Sequence, residues 1–222
     1  GRLLAFSLRE LEPGLDGAYL QDGLLNLRSG NAYMPLMLRE RIQLRGDHNI
    51  ANVLAAFTIG LAAGLRLDAM LSAAEEFKGV PHRLELVREL HGVRWYNDSI
   101  ATAPERSMAD IRAFDEPIVL LLGGRDKELP WQDLAALVAQ RVKQVVLFGE
   151  AAGKIESALA AEGVSGPARL ARCGTLEEAV HKAAELAEPG DVVLFSPGGT
   201  SFDAFKDFAE RGERFREWVL AL

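Results

Sequence analysis

The sequence lacks any apolar run that approaches the length of a membrane span, and no signal peptide is visible at its start. It has only one cysteine, Cys173, which excludes an internal disulfide and leads us to expect a reducing, cytoplasmic compartment. Positive charge is also scarce, since 25 Lys and Arg stand against 32 Asp and Glu, for a net charge of -7. That balance argues against nucleic acid or an anionic membrane as a partner.

Two glycine-rich patterns that bind phosphates are also missing. No Gly-x-Gly-x-x-Gly sequence occurs, which disfavours a dinucleotide-dependent oxidoreductase. The stretch LLLGGRDKELPW lacks the glycine spacing of a P-loop. The stretch FGEAAGKI is one residue short of that spacing and has Ile155 where Mg²⁺ would need a hydroxyl. We therefore interpret Gly153 as a glycine on the C-terminal side of a helix and Lys154 as a surface lysine.

The remaining composition is that of an ordinary globular protein. Of the 222 residues, 49% are hydrophobic and 26% are charged, enough for a sizeable core in one large domain or two small ones. The chain begins with Gly1 rather than Met, so we expect either a processed protein or a shortened one.

The N-terminal part of the chain is predicted to contain short strands followed by two helices. The pair Asp22-Gly23 lies between apolar stretches and predicts a β-hairpin. Apolar residues recur at helical spacing over residues 47–64, and a second helix is predicted over about 68–78. Residues 79–81, Gly-Val-Pro, then break the pattern and are a candidate domain boundary.

After that boundary, strands and helices alternate, which predicts an α/β fold with a doubly wound, mostly parallel sheet. The predicted strands are residues 84–90, 93–97, 118–122, 144–148, 168–170 and 192–195. The predicted helices are residues 105–114, 131–141, 150–162, 176–187 and 202–220. Ligands bind at the carboxyl ends of strands in such sheets. Three loops are therefore candidates for a site: residues 98–102, 123–127 and 196–201.

Two of these loops allow both a structural and a ligand-binding interpretation. In FSPGGTSFDAFKDFAERG, Thr200 and Ser201 could cap the following helix, or the loop could bind an anion at the helix start. In WYNDSIAT, the side chains of Asp98, Ser99 and Thr102 could form an N-capping loop before the next helix, or they could contact a ligand.

Two other groups of side chains are equally open. Lys127 could be a surface lysine of a solvated turn, or a cation placed at the edge of the sheet. Asn49 and Asn52, in RGDHNIANVLAA, are three residues apart and so share one helical face. This amide pair could cap the helix or could read the edge of a purine.

Taken in chain order, these segments resemble the Mur ligase family, and within it the branch that adds glutamate. The matching stretches are GDHNIANVLAA, GVPHRLELV, NDSIATAPE, LLLGGRDK and LFSPGGTSFDAFKDFAERG. The resemblance covers nearly the whole chain, and the last stretch is typical of that branch. It implies an ATP-dependent ligase of peptidoglycan synthesis that joins glutamate to UDP-N-acetylmuramoyl-L-alanine through an acyl phosphate.

The resemblance also implies which residues bind the nucleotide. Asn49 and Asn52 would contact the adenine of ATP. Arg83 would lie toward the phosphates, and Asp98 would hold the ribose. No residue of this chain is assigned to Mg²⁺, because the family's metal ligands and its P-loop are expected upstream.

For the amino acid, the resemblance implies a site made by the three strand-end loops. Thr102, Lys127, Ser201 and the backbone of Phe208 would surround the incoming glutamate, with Lys127 and Thr102 as the catalytic residues. In the family pattern, a lysine stands in the middle of DSxAT, and here that residue is Ile100. This departure bears on how the glutamate side chain is held and on whether D- or L-glutamate is used.

The implied organisation is part of a central ATP-binding α/β domain over residues 1–82 and a Rossmann-like C-terminal domain over residues 83–222. A chain without the upstream P-loop is expected to have no ligase activity alone. We expect a monomer that acts on small molecules. Another amino-acid ligase of the same type, including one like folylpolyglutamate synthetase or one that adds L-glutamate, is the alternative within the family. A non-catalytic nucleotide-binding module is the alternative outside it.

Overall fold

The computed structural model of the protein describes residues 3–222 and divides into two compact units, Gly1–Gly79 and Val80–Leu222. Among the described residues, no helix is both long and apolar enough to cross a lipid bilayer.

The first unit is a four-stranded sheet with two helices. The strands lie in chain order, with the first pair parallel and the other two pairs antiparallel. They are β1 (Leu4–Ser7), β2 (Asp16–Gln21), β3 (Leu24–Ser29) and β4 (Ala32–Leu38). The helices are α1 (Asp47–Ala62) and α2 (Leu67–Glu76).

The predicted hairpin is confirmed between β2 and β3. Gln21 pairs with Leu24, so the connection is the two-residue turn Asp22-Gly23. Both turn residues have positive φ, 49° and 74°, as this tight hairpin turn requires. The predicted apolar stripe of α1 is also confirmed. Its residues Ile50, Leu54 and Phe57 are buried among side chains of the sheet and form the core of the unit.

The second unit is a six-stranded sheet with the order β5-β6-β10-β7-β8-β9. Only β5 is antiparallel to its neighbour, so the predicted mostly parallel sheet is confirmed. The strands are β5 (Glu85–Leu90), β6 (Val93–Asn97), β7 (Ile118–Gly123), β8 (Val142–Phe148), β9 (Leu170–Arg172) and β10 (Val192–Gly198).

Helices cover both faces of this sheet, as a doubly wound fold requires. One apolar cluster joins the sheet to α3, α4 and α5, and a second cluster joins its other face to α6 and α7. The helices are α3 (Pro104–Ile111), α4 (Gln132–Arg141), α5 (Ala152–Ala161), α6 (Leu176–Leu186) and α7 (Phe208–Ala221).

The last helix starts later than predicted. Residues 202–220 were expected to be helical, but α7 begins only at Phe208, after a run of turns. Asp207 is the N-cap, and its Oδ1 accepts the N–H of Glu210 at 2.8 Å. The prediction was wrong because phenylalanines recur every three residues across the turns and imitate helical periodicity. Thr200 and Ser201 therefore do not cap the helix.

Two smaller predictions also need correction. The strand expected at residues 168–170 lies at Leu170–Arg172, where it pairs with β8. Gly153 lies in the first turn of α5, not on the C-terminal side of a helix. Lys154 is exposed, as predicted, and its side chain forms an ion pair with Asp126.

Gly212 provides a test of how tightly α7 packs. A Cβ at Gly212 would lie 2.3 Å from Nδ1 of His82, whose ring is buried and contacts the Asn97 amide at 3.1 Å. We expect Gly212→Ala to lower the free energy of unfolding by about 1–3 kcal/mol, as overpacking does, measured by urea denaturation.

Gly153 in α5 is the matched control for this substitution. The nearest atoms to a Cβ there belong to the end of the Arg172 side chain, at 3.8 Å. Gly153→Ala should therefore show the usual helical gain of up to about 1 kcal/mol. An equal gain in both variants would show that the His82 contact does not constrain α7.

Candidate functional site

The three loops singled out from the sequence lie side by side, because β6, β10 and β7 are neighbours in the sheet. Backbone hydrogen bonds connect them directly. The N–H of Gly198 donates to the carbonyl of Ala101 at 2.9 Å. Arg125 and Thr200 exchange two N–H···O bonds of 2.8 Å each, as an isolated antiparallel bridge. The three strand ends therefore form one continuous polar edge.

The glycines in these loops allow this close approach of backbone to backbone. A Cβ at Gly124, where φ is 91°, would lie 2.3 Å from the carbonyl oxygen of Thr200. A Cβ at Gly199 would lie 2.5 Å from the carbonyl oxygen of Gly123. There is no room for a side chain at either position, so the close packing of the loops is sufficient to explain why both residues are glycines.

Arg211 is the residue that holds this edge to α7, and the sequence analysis did not identify it. Its guanidinium is fully buried and has three hydrogen bonds to neutral oxygens. It donates to the hydroxyl and carbonyl oxygens of Ser99 at 3.0 and 2.8 Å, and to the carbonyl of Gly199 at 3.0 Å. The guanidinium also lies 5.7 Å from the centre of the Phe195 ring.

Burial lowers the pKa of Arg211 to about 10, with the charge of Asp203 acting in the opposite direction. The side chain therefore stays charged at neutral pH. A sequence signal for its burial does exist, since Arg211 falls on the same helical face as Phe215 and Val219. Arginine side chains are rarely buried, so the burial of Arg211 was not predicted from this pattern.

Thr102 and Lys127, the expected catalytic residues, lie together. Nζ of Lys127 donates to the Thr102 hydroxyl at 3.2 Å, and the lysine is exposed while Thr102 is half-buried. The loop that carries Lys127 is anchored by Asp126. This carboxylate accepts the Trp131 indole N–H at 3.0 Å and pairs with Lys154.

Of the other two residues expected around glutamate, Ser201 lies on one of the connected loops, and Phe208 is the first residue of α7. Ser201 is buried, with 2% of its surface exposed, and its carbonyl accepts the N–H groups of Ala204 and Phe205. The carbonyl of Phe208 accepts the Ser99 hydroxyl at 2.8 Å, which leaves it engaged within the protein.

The residues expected near the ribose and phosphates lie at the start of the second unit. Asp98 is buried, and its Oδ1 accepts the N–H of Leu84 at 2.8 Å, whereas the Arg83 side chain is exposed. The N-cap of α3 is Ala103 with no side-chain cap, so the capping interpretation of Asp98, Ser99 and Thr102 is wrong.

Asn49 and Asn52 lie in the first turns of α1 in the first unit. The N-cap of this helix is Gly46, again without a side-chain cap, so the capping interpretation of the pair is wrong too. The Asn49 amide donates to the carbonyl of Arg45 at 2.8 Å, and Asn52 donates to Asn49 at 3.5 Å. Asn49 is buried and Asn52 is exposed.

Arg211 offers a direct test of how the edge is held together. Arg211→Lys keeps the charge but cannot reach all three oxygens with one ammonium group. Because a buried acceptor without a partner costs about 1–3 kcal/mol, we expect unfolding free energy to fall by about 2–4 kcal/mol. Urea denaturation of this chain measures the loss. Arg214→Lys, at an exposed position of the same helix, should change it by less than about 0.5 kcal/mol. Equal effects of the two substitutions would contradict this role for Arg211.

Comparisons with known proteins agree with this architecture. The chain is 43% identical over 221 residues to the UDP-N-acetylmuramoylalanine--D-glutamate ligase of Symbiobacterium thermophilum, an alignment with 100% of this chain and 48% of the relative. It is 48% identical over 185 residues to the ligase of the same name from a Roseiflexus strain, with 82% of this chain and 39% of the relative. The chain thus spans about half the length of the curated relatives it matches, or less.

Solved structures with the same fold are more distant in sequence. A UDP-N-acetylmuramate-alanine ligase from Thermotoga maritima aligns with a TM-score of 0.63 at 20% identity, over 90% of this chain and 44% of that chain. A folylpolyglutamate synthase from Mycobacterium tuberculosis aligns with a TM-score of 0.61 at 18% identity, over 89% of this chain and 46% of that chain.

A family model covers the polar edge itself. The model described as "Mur ligase, glutamate ligase domain" matches residues 82–199, which is more than half of the chain and includes two of the three loops and most of the third. The chain belongs to the Mur ligase family.

Proposed function

We propose that this chain serves an ATP-dependent ligase that joins glutamate to UDP-N-acetylmuramoyl-L-alanine in peptidoglycan synthesis. The observation that carries the proposal is the Lys127–Thr102 pair on the connected loops. Lys127 is exposed, donates to a neutral hydroxyl at 3.2 Å, and forms no ion pair with the residues that the structure describes. An ammonium group in this state is available to bind a carboxylate.

In the proposed reaction, ATP transfers its terminal phosphoryl group to the terminal carboxyl of the sugar substrate, which gives an acyl phosphate and releases ADP. The amino group of glutamate then attacks the carbonyl carbon of the acyl phosphate, and loss of a proton and of phosphate leaves the amide. The part assigned to this chain is to bind and orient glutamate, because such positioning lowers the barrier of a bimolecular step. Lys127, Thr102 and Ser201 would donate to the glutamate carboxylates, with the backbone of Phe208 at the edge of the site. The buried charge of Arg211 favours an anion nearby.

D-glutamate is the proposed amino acid. Its side chain would lie near Ile100, an aliphatic residue where the family pattern has a lysine. Ile100 is half-buried, and its N–H donates to the carbonyl of His82 at 3.2 Å. It cannot supply a charge to either carboxylate, so the cationic contribution falls to Lys127. The two relatives compared above are named for D-glutamate at 43% and 48% identity, which favours this substrate over that of the folylpolyglutamate synthase, at 18%.

Residues of both units are assigned to nucleotide binding, and each unit is considered by itself. Asn49 and Asn52 in the first unit would bind the adenine, and Arg83 and Asp98 in the second would bind phosphate and ribose. The folylpolyglutamate synthase of similar fold was solved with ADP. The proposed reaction uses ATP together with Mg²⁺, and no residue of this chain is assigned to the metal. The proposed ligase acts as a cytoplasmic monomer.

Replacing Lys127 tests the glutamate site. In the full-length ligase, Lys127→Ala should lower kcat/KM for D-glutamate by about 10–100-fold, because a hydrogen bond to a charged group is worth about 1.5–3 kcal/mol. The KM for ATP should change much less. Lys182→Ala, which removes a half-buried lysine of α6 that pairs with Glu185, is the control and should leave both constants unchanged. Glutamate kinetics within twofold of the unmodified enzyme for Lys127→Ala would move the carboxylate site elsewhere.

Replacing Asn52 tests the adenine assignment. Asn52→Ala should raise the KM for ATP by about tenfold, the loss expected for one or two hydrogen bonds, while the KM for glutamate stays constant. Because Asn52 is exposed and its bond to Asn49 is long, the free energy of unfolding should change by less than about 0.5 kcal/mol. A loss of stability with unchanged ATP kinetics would assign Asn52 a structural role instead.

A further inference from the structure

Two buried carboxyl groups meet directly beside the polar edge, and the reaction as proposed uses only one of them. Asp98 follows β6, and Asp110 lies in α3, with 4% and 5% of their surfaces exposed. Their side chains are hydrogen-bonded to each other. Asp110 also accepts the Ser196 hydroxyl through Oδ2 at 2.7 Å.

A hydrogen bond between two carboxyl groups requires a proton, because two carboxylates are both acceptors. Burial, and then the contact with Asp98, raise the pKa of Asp110 well above its ordinary value. The Ser196 hydroxyl and the charge of Arg83 act in the opposite direction. The pair therefore shares one proton, and the raised pKa of Asp110 favours Asp110 as the side chain that holds it.

This arrangement holds the Asp98 carboxylate from two sides. The N–H of Leu84 donates to its Oδ1 at 2.8 Å, and the Asp110 carboxyl donates to it from α3. Asp110 is itself held by Ser196 of β10, whose carbonyl accepts the Ser107 hydroxyl at 2.9 Å. The chain of contacts from Leu84 to β10 leaves Asp98 with one orientation.

We propose that Asp110 is a positioning residue for nucleotide binding, which keeps a proton in order to orient the Asp98 carboxylate. This inference rests on the proposed role of Asp98 at the ribose. When the pH rises above the raised pKa of Asp110 and this side chain loses its proton, two anions face each other in a buried site, and the hydrogen bond that orients Asp98 is replaced by repulsion. Nucleotide affinity should then fall as the pH rises.

Binding of ATP to the full-length protein, measured by calorimetry, tests the positioning role independently of ligation. Asp110→Ala removes the donor and should weaken ATP binding by about tenfold at pH 7. Asp110→Asn can donate to Asp98 and accept from Ser196, so it should bind ATP within about twofold of the unmodified protein. Asp133→Asn, at an exposed position of α4, is the control and should bind normally.

The pH dependence separates this role from simple packing. As the pH rises through the raised pKa of Asp110, the unmodified protein should lose ATP affinity, while Asp110→Asn, which has no proton to lose at this position, should not. Unchanged ATP binding by Asp110→Ala, or parallel pH profiles of the unmodified and Asp110→Asn proteins, would overturn the proposal. If the ATP results hold but no D-glutamate is ligated, only the proposed function fails.

The retained proton can also be tested on this 222-residue chain without any ligand. A carboxyl whose pKa is raised on folding stabilises the protein fully below its unfolded pKa, about 4, and loses that contribution as the pH rises through the folded value. Urea denaturation should therefore show Asp110→Asn gaining stability relative to the unmodified chain as the pH rises above about 4. A difference that stays constant with pH would mean that Asp110 holds no proton.

Discussion

The polar edge depends on one buried cation, the guanidinium of Arg211. Its three hydrogen bonds go to oxygens of Ser99 and Gly199, which belong to two different strand-end loops, while its backbone belongs to α7. A buried charge is costly unless its donors are satisfied, so the loops must present these oxygens wherever the guanidinium lies. The planar, multiply donating group of an arginine can meet that demand, and a single ammonium cannot.

An exposed basic side chain and two buried acidic side chains lie along the same edge. Lys127 is exposed and bound to a neutral hydroxyl, whereas Asp98 and Asp110 are buried and share a hydrogen bond. The segment from Ser196 to Thr200 connects the two, because Ser196 bonds to Asp110 and Thr200 bonds to the loop that carries Lys127. The proposed function uses the first group for a carboxylate and the second for a nucleotide. The proposed proton on Asp110 keeps the buried pair from carrying two charges.

Sequence patterns predicted most of the elements and missed particular interactions for identifiable reasons. Strands β6, β7 and β10 were predicted to within three residues. In β7 and β10 the signal was a continuous apolar run, which marks a strand buried on both faces. The start of α7 was missed, since phenylalanine periodicity runs through the turns before Asp207. Arg211 and Asp110 were missed because charged residues in amphipathic helices normally face water. The one local signal was the position of Arg211 on the same helical face as Phe215 and Val219.

Local sequence was enough to predict the α/β class, the Asp22-Gly23 hairpin, the apolar stripe of α1 and the three loops that carry polar residues. These follow from local chemistry, namely backbone freedom at a turn and the spacing of apolar side chains. The position of β10, the last strand in the chain, between β6 and β7 is visible only in the folded structure. That placement brings Ser196 to Asp110 and Thr200 to Arg125, and with α7 it encloses Arg211. Contacts between residues about a hundred positions apart depend on strand order, which local periodicity does not encode.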